Sequence, residues 1–249
     1  MDHDEMSPMP FWETFLIFAY TLISGFVMFY WFRPCLEAQG FSEMRAYLFA
    51  ANSVLVSMFV WALVAFRIET GSFEWRRLVK RFRLGKLTWK MVLWAIVLSV
   101  IMFGGEAVFL PLLSRMVENG IINIPDSLPV YLNPTMHTSL SEMKTQFARE
   151  GIFPWIPLVL FFNIFGEELL WRGYLLPRQE LTGGQHTWVL HGLLWGLSHT
   201  FQYWLLPPIF LGAMVLSFVV QKMKNTWIGI IAHAINNSLP FLILLLLIE

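Results

Sequence analysis

The chain has 249 residues, a formal net charge of zero, and only 14% charged side chains against 57% apolar and aromatic ones. An ordinary soluble domain carries about a quarter charged residues, so this composition excludes a water-soluble globule, and the zero net charge gives no general case for nucleic acid. Cys35 is the only cysteine, which excludes an internal disulfide and a cysteine-rich metal site.

The apolar residues come in runs of about twenty, enough for a helix to cross roughly 30 Å of hydrocarbon. The expected fold class is all-α, a polytopic transmembrane helix bundle of about seven spans. The chain opens acidic (Asp2, Asp4, Glu5), where a cleavable signal opens basic, so the first run is expected to stay as a span. Span one is placed at 11–32, stopped by Arg33 and Pro34. Span two is placed at 46–66, ended by Arg67, and span three at 89–113, ended by Ser114 and Arg115. Span four follows at 152–171 and span five at 187–205, before Pro207 and Pro208. Span six is short, 209–220, and span seven runs 227–248. Trp12, Trp31, Trp89, Trp171, Trp204 and Trp227 stand near span ends, as an interfacial belt would have them.

Lysine and arginine set the expected orientation. Eight of the seventeen cations lie between Arg67 and Lys90, which places that segment and the N-terminus in the cytoplasm. Phe73, Trp75, Leu78, Val79 and Phe82 interleave with these cations, as in a helix lying on anionic headgroups. The 116–151 loop falls outside. Pro125, Pro129 and Pro134 break its first half. Leu140, Met143 and Phe147 stand at helical spacing in its second, predicting a short amphipathic helix, either a packed connector or a lid. Residues 1–151 are read as a variable N-terminal region and 152–249 as the core that carries the chemistry.

Ionisable groups in a span need a reason to be there. Glu13 and Glu106 are isolated and read as structural. Span four instead ends in Glu167, Glu168 and Arg172. On a helix the adjacent carboxylates point about 100° apart, and Glu168 faces Arg172 four residues on, leaving Glu167 unpaired. His199 follows Trp195 by four residues in span five, and His233 shares a face with Asn237 in span seven. A paired His and Asn can donate hydrogen bonds to one point, as an oxyanion site needs. His191 is read as structural or interfacial.

The ordered set of Glu167-Glu168 with Arg172, then Trp195 with His199, then His233 with Asn237, resembles the CPBP intramembrane proteases, the CAAX-protease and bacteriocin-processing (Abi) family to which the type II CAAX prenyl endopeptidase belongs. The resemblance spans about residues 152–249. The family's second motif often begins with Phe where this chain has Trp195.

The resemblance implies a glutamate-dependent endopeptidase that cleaves near a membrane-associated segment of its substrate: a prenylated C-terminus, a leader or a C-terminal anchor. Glu167 would activate water and His199 would hold it. His233 and Asn237 would stabilise the oxyanion, with Glu168, Arg172 and Trp195 supporting the site. No cofactor is implied, zinc bound by two histidines and a glutamate being the chemical rival, although no His-Glu-x-x-His motif is present. The implied partners are a membrane-anchored protein or peptide and the lipid bilayer, without nucleic acid. The small chain suggests a prokaryotic cytoplasmic membrane. The alternatives are a non-catalytic immunity or scaffold protein of the same fold, and a transporter, which would usually show repeated halves.

Overall fold

The structure, a computed structural model, describes residues 6–125, 128, 132–135 and 139–246. The acidic opening, Pro129 and the last residues of span seven lie outside the described residues. All regular structure among the described residues is helical.

Helix α1, Phe11–Ala38, rises from the end of the bundle that carries the basic segment, called the basic end here. It does not stop at Arg33 and Pro34 as expected. A wide π turn, Met28–Phe32, precedes Pro34 and makes room for a residue that lacks an N–H and crowds the preceding turn. Arg33 is buried, with its guanidinium 4.8 Å from the Phe29 ring and Nε 3.6 Å from Glu37, so its charge does not end the helix. Helix α2, Glu43–Thr70, returns, capped by the Ser42 hydroxyl at its start. It passes Arg67 and ends at Gly71, whose φ of +70° is left-handed backbone that glycine adopts readily. The short α3, Trp75–Arg81, lies at the basic end with Phe73 and Trp75 exposed. Helix α4, Trp89–Glu118, rises again and continues one turn beyond the expected stop, with Pro111 inside it.

The amphipathic helix expected in the loop is α5, Leu140–Arg149. Ser139 caps it and Glu142 reaches back to Ser139. Phe147 packs among Met44, Ile152, Ile156 and Leu244.

The largest departure from expectation is span four. Helix α6, residues 153–183, does not end at Trp171 but runs twelve residues further, through π turns at Phe162–Gly166 and Leu169–Leu175. Its charges cancel against neighbours inside the bundle, so they mark no helix end. The chain reverses at Gly184 (φ +65°, ψ −145°), a conformation open to glycine. Gln221 pins this turn, accepting from the Trp188 amide at 2.6 Å and donating to the Gly184 carbonyl at 2.9 Å.

Helix α7, Thr187–Leu197, is only about 17 Å long, shorter than the expected span five. A 3₁₀ turn, Thr200–Leu205, leads into α8, Leu206–Met223, which is longer than the expected span six. Pro207 and Pro208 open α8 rather than follow span five, because proline suits a helix's first turn. Helix α9, Trp227–Leu246, completes the bundle.

Six stretches are long and apolar enough to cross a membrane. One of them, Phe153–Leu197, holds both arms of the reversal at Gly184, so the described residues make seven passes of unequal length. The tryptophan belt is only partly present. Trp12, Trp31 and Trp89 are exposed, but Trp171 is buried, stacked on Phe18 at 4.5 Å, and Trp204 is buried with Nε1 donating to the Leu132 carbonyl at 3.0 Å.

The Glu142 carboxylate is solvent-exposed, and bonds from the Ser139 amide and hydroxyl hold its pKa below the ordinary 4.5. A lowered carboxyl pKa contributes stability above the unfolded value and loses it as pH falls through the folded one. Amide exchange over residues 140–143 is therefore expected to accelerate below pH 4.5 relative to Glu142→Gln, which has no carboxyl to protonate and should lack that acid-dependent step.

Candidate active site

Three helices bring the sequence-predicted residues to one place. A cavity of about 630 Å³ is lined by Glu167 from α6, Trp195 from α7, His199 just beyond it, and His233 and Asn237 from α9. Glu106 of α4 and Tyr47 of α2 complete its polar lining together with Asn133, Asn163 and Gln202. Glu167 and His199 also line an adjoining chamber of about 150 Å³.

The length of α6 sets the depth of this site. From sequence, Glu167 lies near the end of its span and His199 about 18 Å into its own. With α6 continuing to Gly183, Glu167 stands about 24 Å from the turn by helical rise, and the two levels meet. The proof is a direct bond: Trp195 Nε1 donates to Glu167 Oε2 at 3.1 Å.

Asn163 engages the other Glu167 oxygen. It lies one π turn earlier on α6 and donates from Nδ2 to Oε1 at 3.2 Å. Its own Oδ1 accepts from Asn237 Nδ2. Asn163 thus joins Glu167 to Asn237 across two helices. Sequence reasoning gave Asn163 no role, although its spacing of four from Glu167 is the signal that could have found it.

Glu168 points the other way, as the spacing required. Glu168 and Arg172 are fully buried and pair at 3.0 Å. His233 Nδ1 meets the same Oε1 at 3.0 Å, a contact the sequence reading did not include. The supporting pair therefore touches the predicted oxyanion residue directly. Gly229 makes room for this: a Cβ there would fall 2.2 Å from Glu168 Oε2. The Arg172 guanidinium sits 4.4 Å from the Trp195 ring centroid, where the π face offers attraction to a cation. Trp195 thus stands between the two glutamates, its ring under Arg172 and its N–H on Glu167. A phenylalanine could supply the ring but no donor.

His199 Nδ1 lies 2.9 Å from the Trp195 carbonyl and 3.3 Å from Ser198 Oγ. A carbonyl only accepts, so in this bond Nδ1 carries the hydrogen and the neutral ring offers its Nε2 lone pair. His191 is fully buried, bonded through Nδ1 to Gln179 Oε1 at 2.6 Å, and belongs to the packing of α6 against α7 rather than to an interface. Glu13 pairs with Arg178 at 3.2 Å. Glu106, also read as structural, lines the cavity.

Among the described residues no three His, Cys, Asp or Glu side chains gather as a metal-ligand set. His233 Nδ1 is engaged by Glu168 and His199 Nδ1 lies against a carbonyl, so the zinc reading would need both rings to coordinate through Nε2.

A bundle of apolar helices enclosing a polar cavity defines an integral membrane protein with an internal site. Residues 149–239 match the family model described as "Type II CAAX prenyl endopeptidase Rce1-like", an interval that contains all four cavity residues singled out from the sequence. Residues 149–239 are thus similar to this protease family. No curated protein and no solved structure matches the chain.

Removing one partner of a buried ion pair costs about 3–5 kcal/mol because the other is left uncompensated. Arg172→Ala and Glu168→Ala are each expected to lower the unfolding temperature in detergent by several degrees, measured by tryptophan fluorescence. The double variant should recover part of the loss.

Proposed function

We propose that the protein is an intramembrane endopeptidase that hydrolyses a peptide bond beside a membrane-associated segment of its substrate, using water activated by Glu167. The observation that carries this reading is the fixing of both Glu167 oxygens, by Asn163 and Trp195, on the wall of a cavity shared with His199, His233 and Asn237. A carboxylate held this way is oriented before substrate arrives, which is where enzymes gain most from electrostatics.

In the proposed reaction a water lies between Glu167 and the His199 Nε2 lone pair. Glu167 takes one of its protons as the oxygen attacks the scissile carbonyl carbon. The carbonyl oxygen, now anionic, accepts bonds from His233 and Asn237. When the C–N bond breaks, the proton on Glu167 passes to the leaving nitrogen. Asn237 Nδ2 has two hydrogens, and one remains after its bond to Asn163. For His233, an ionised Glu168 can only accept, so Nδ1 carries a hydrogen. Nε2 then donates to the oxyanion when the ring carries a second proton.

The substrate classes supported by this reading are a prenylated C-terminus, a leader or a C-terminal anchor, each bringing a scissile bond to the membrane. Residues 152–249 form the catalytic core in this reading, with the N-terminal spans closing the cavity through Tyr47 and Glu106. The lysine and arginine distribution supports an N-terminus on the cytoplasmic side of a prokaryotic membrane. No metal takes part in the scheme.

General-base catalysis contributes typically about 10²–10⁴-fold. Glu167→Gln, assayed in liposomes on an anchored peptide, is expected to lose cleavage by about that range while keeping its unfolding temperature. A chelator is expected to leave the wild-type rate unchanged. Wild-type cleavage by Glu167→Gln would overturn the mechanism, and loss with a chelator restored by zinc would replace it with metal chemistry.

Trp195→Phe keeps the ring under Arg172 and removes the donor to Glu167. Its kcat is expected to fall about tenfold, the worth of one hydrogen bond of about 1.4 kcal/mol, with KM and thermal stability near wild type. An unchanged kcat would show that the indole N–H does not position the base.

A further inference from the structure

Glu106 stands out among the carboxylates of the spans. Glu13, Glu69, Glu167, Glu168 and Glu180 each hold an ion pair or a hydrogen bond. No hydrogen bond or ion pair engages Glu106 among the described residues, although it sits in the middle of α4. A carboxylate at membrane depth costs about 2.5–3.5 kcal/mol on insertion scales when nothing compensates it.

Among the described residues no lysine or arginine stands beside it to compensate the charge. Glu106 faces the 630 Å³ cavity, and no lysine or arginine lines that cavity. The adjacent wall from α8 is apolar, with Pro208, Ile209, Gly212 and Leu216. Beside Glu106, α8 fills the space against α4 with an apolar side chain: a Cβ on Gly105 would fall 2.5 Å from Leu211 Cδ2. The two histidines of the cavity have their Nδ1 atoms committed to Glu168 and to the Trp195 carbonyl.

We propose that Glu106 is a specificity site for a basic substrate residue, a lysine or arginine side chain that enters the cavity beside the scissile bond and completes an ion pair the protein leaves half-built. The proposal rests on the reading of this cavity as the endopeptidase site. Its physical logic is selection by difference. A neutral residue leaves Glu106 desolvated and unpaired, an acidic one adds repulsion, and a basic one relieves both. Glu106 is only partly exposed on the cavity wall, where a charge pair is screened less than on an open surface.

The test uses anchored fluorogenic peptides in which a single lysine, leucine or glutamate is walked through the positions flanking the cleaved bond. Cleavage is measured with the full-length protein in liposomes, and binding of the same peptides is measured by anisotropy on the Glu167→Gln protein. At one position lysine is expected to raise kcat/KM and affinity at least about tenfold over leucine, equivalent to about 1.4 kcal/mol. Glu106→Gln, nearly isosteric, should lose that ratio. Glu106→Lys should invert it in favour of glutamate at the same position. A lysine preference that persists in Glu106→Gln, or no lysine-favoured position in either assay, overturns the proposal. Cleavage without any such preference sinks the specificity site and leaves the endopeptidase reading intact. Lysine-selective binding that depends on Glu106, with no peptide cleaved, does the reverse.

Discussion

Glu168 and Arg172 meet at 3.0 Å with no exposure to solvent, and the polar groups around them are arranged by that contact. Two charges one helical turn apart cancel within α6, which lets the helix continue where its sequence looks like an end. The remaining needs of the pair are met from other helices. His233 of α9 reaches the carboxylate and the Trp195 ring of α7 covers the guanidinium. Replacing such a pair with apolar residues often stabilises a protein, so its retention here fits a task other than holding the bundle. It sets where α7 and α9 stand relative to α6, and therefore where Glu167 stands relative to His199 and His233.

Close packing then converts this contact into a site. Gly166, beside Glu167, lies against the Leu55 carbonyl of α2, where a Cβ would be 2.6 Å away. Gly229 gives Glu168 its room from the α9 side. Small residues bring membrane helices together because backbones can approach and dispersion contacts accumulate. The polar groups that remain turn into the cavity, since hydrocarbon offers them no hydrogen bonds. Arg81 ties the basic end to the same helix, pairing with Glu69 at 3.0 Å and donating to the carbonyls of Gly173 and Tyr174.

Much of this was legible in the sequence, and the failures share a cause. The helical class, a number of spans close to seven, the loop helix at Leu140–Arg149 and the likeness to the Rce1-like model all follow from apolar runs and short motifs. Helix ends were misread wherever a charge or proline was taken as punctuation. Arg33 is buried on Phe29, Arg67 sits in a last turn that favours cations, and Arg172 is neutralised by Glu168. For Arg33 and Arg172 a partner one turn away on the same helix removes the cost that would have ended it, and Arg67 sits beside its helix's own terminal carbonyls. The gathering of Glu167, His199, His233 and Asn237 on one cavity was expected from spacing and resemblance. Asn163 was overlooked because an amide in a span carries no charge to flag it. Glu106 was read as isolated because the residues that share its cavity come from helices far away in sequence. Trp195 looked like a mild change from phenylalanine, and only the fold reveals the indole N–H on Glu167.

The central claim is that Glu167 acts as a base on water and forms no bond to the substrate. A carboxylate beside a scissile carbonyl could also attack it, giving an anhydride that water then opens. The measurement that separates these is a single turnover, with protein in excess over an anchored peptide, in water carrying heavy oxygen, followed by mass spectrometry of the product and of the peptide containing Glu167. Direct attack by water places one heavy oxygen on the new C-terminal carboxyl and none on Glu167, and leaves no acyl adduct on Glu167 for hydroxylamine to trap. Heavy oxygen on the Glu167 side chain after that first turnover, or a trapped adduct there, would contradict the account.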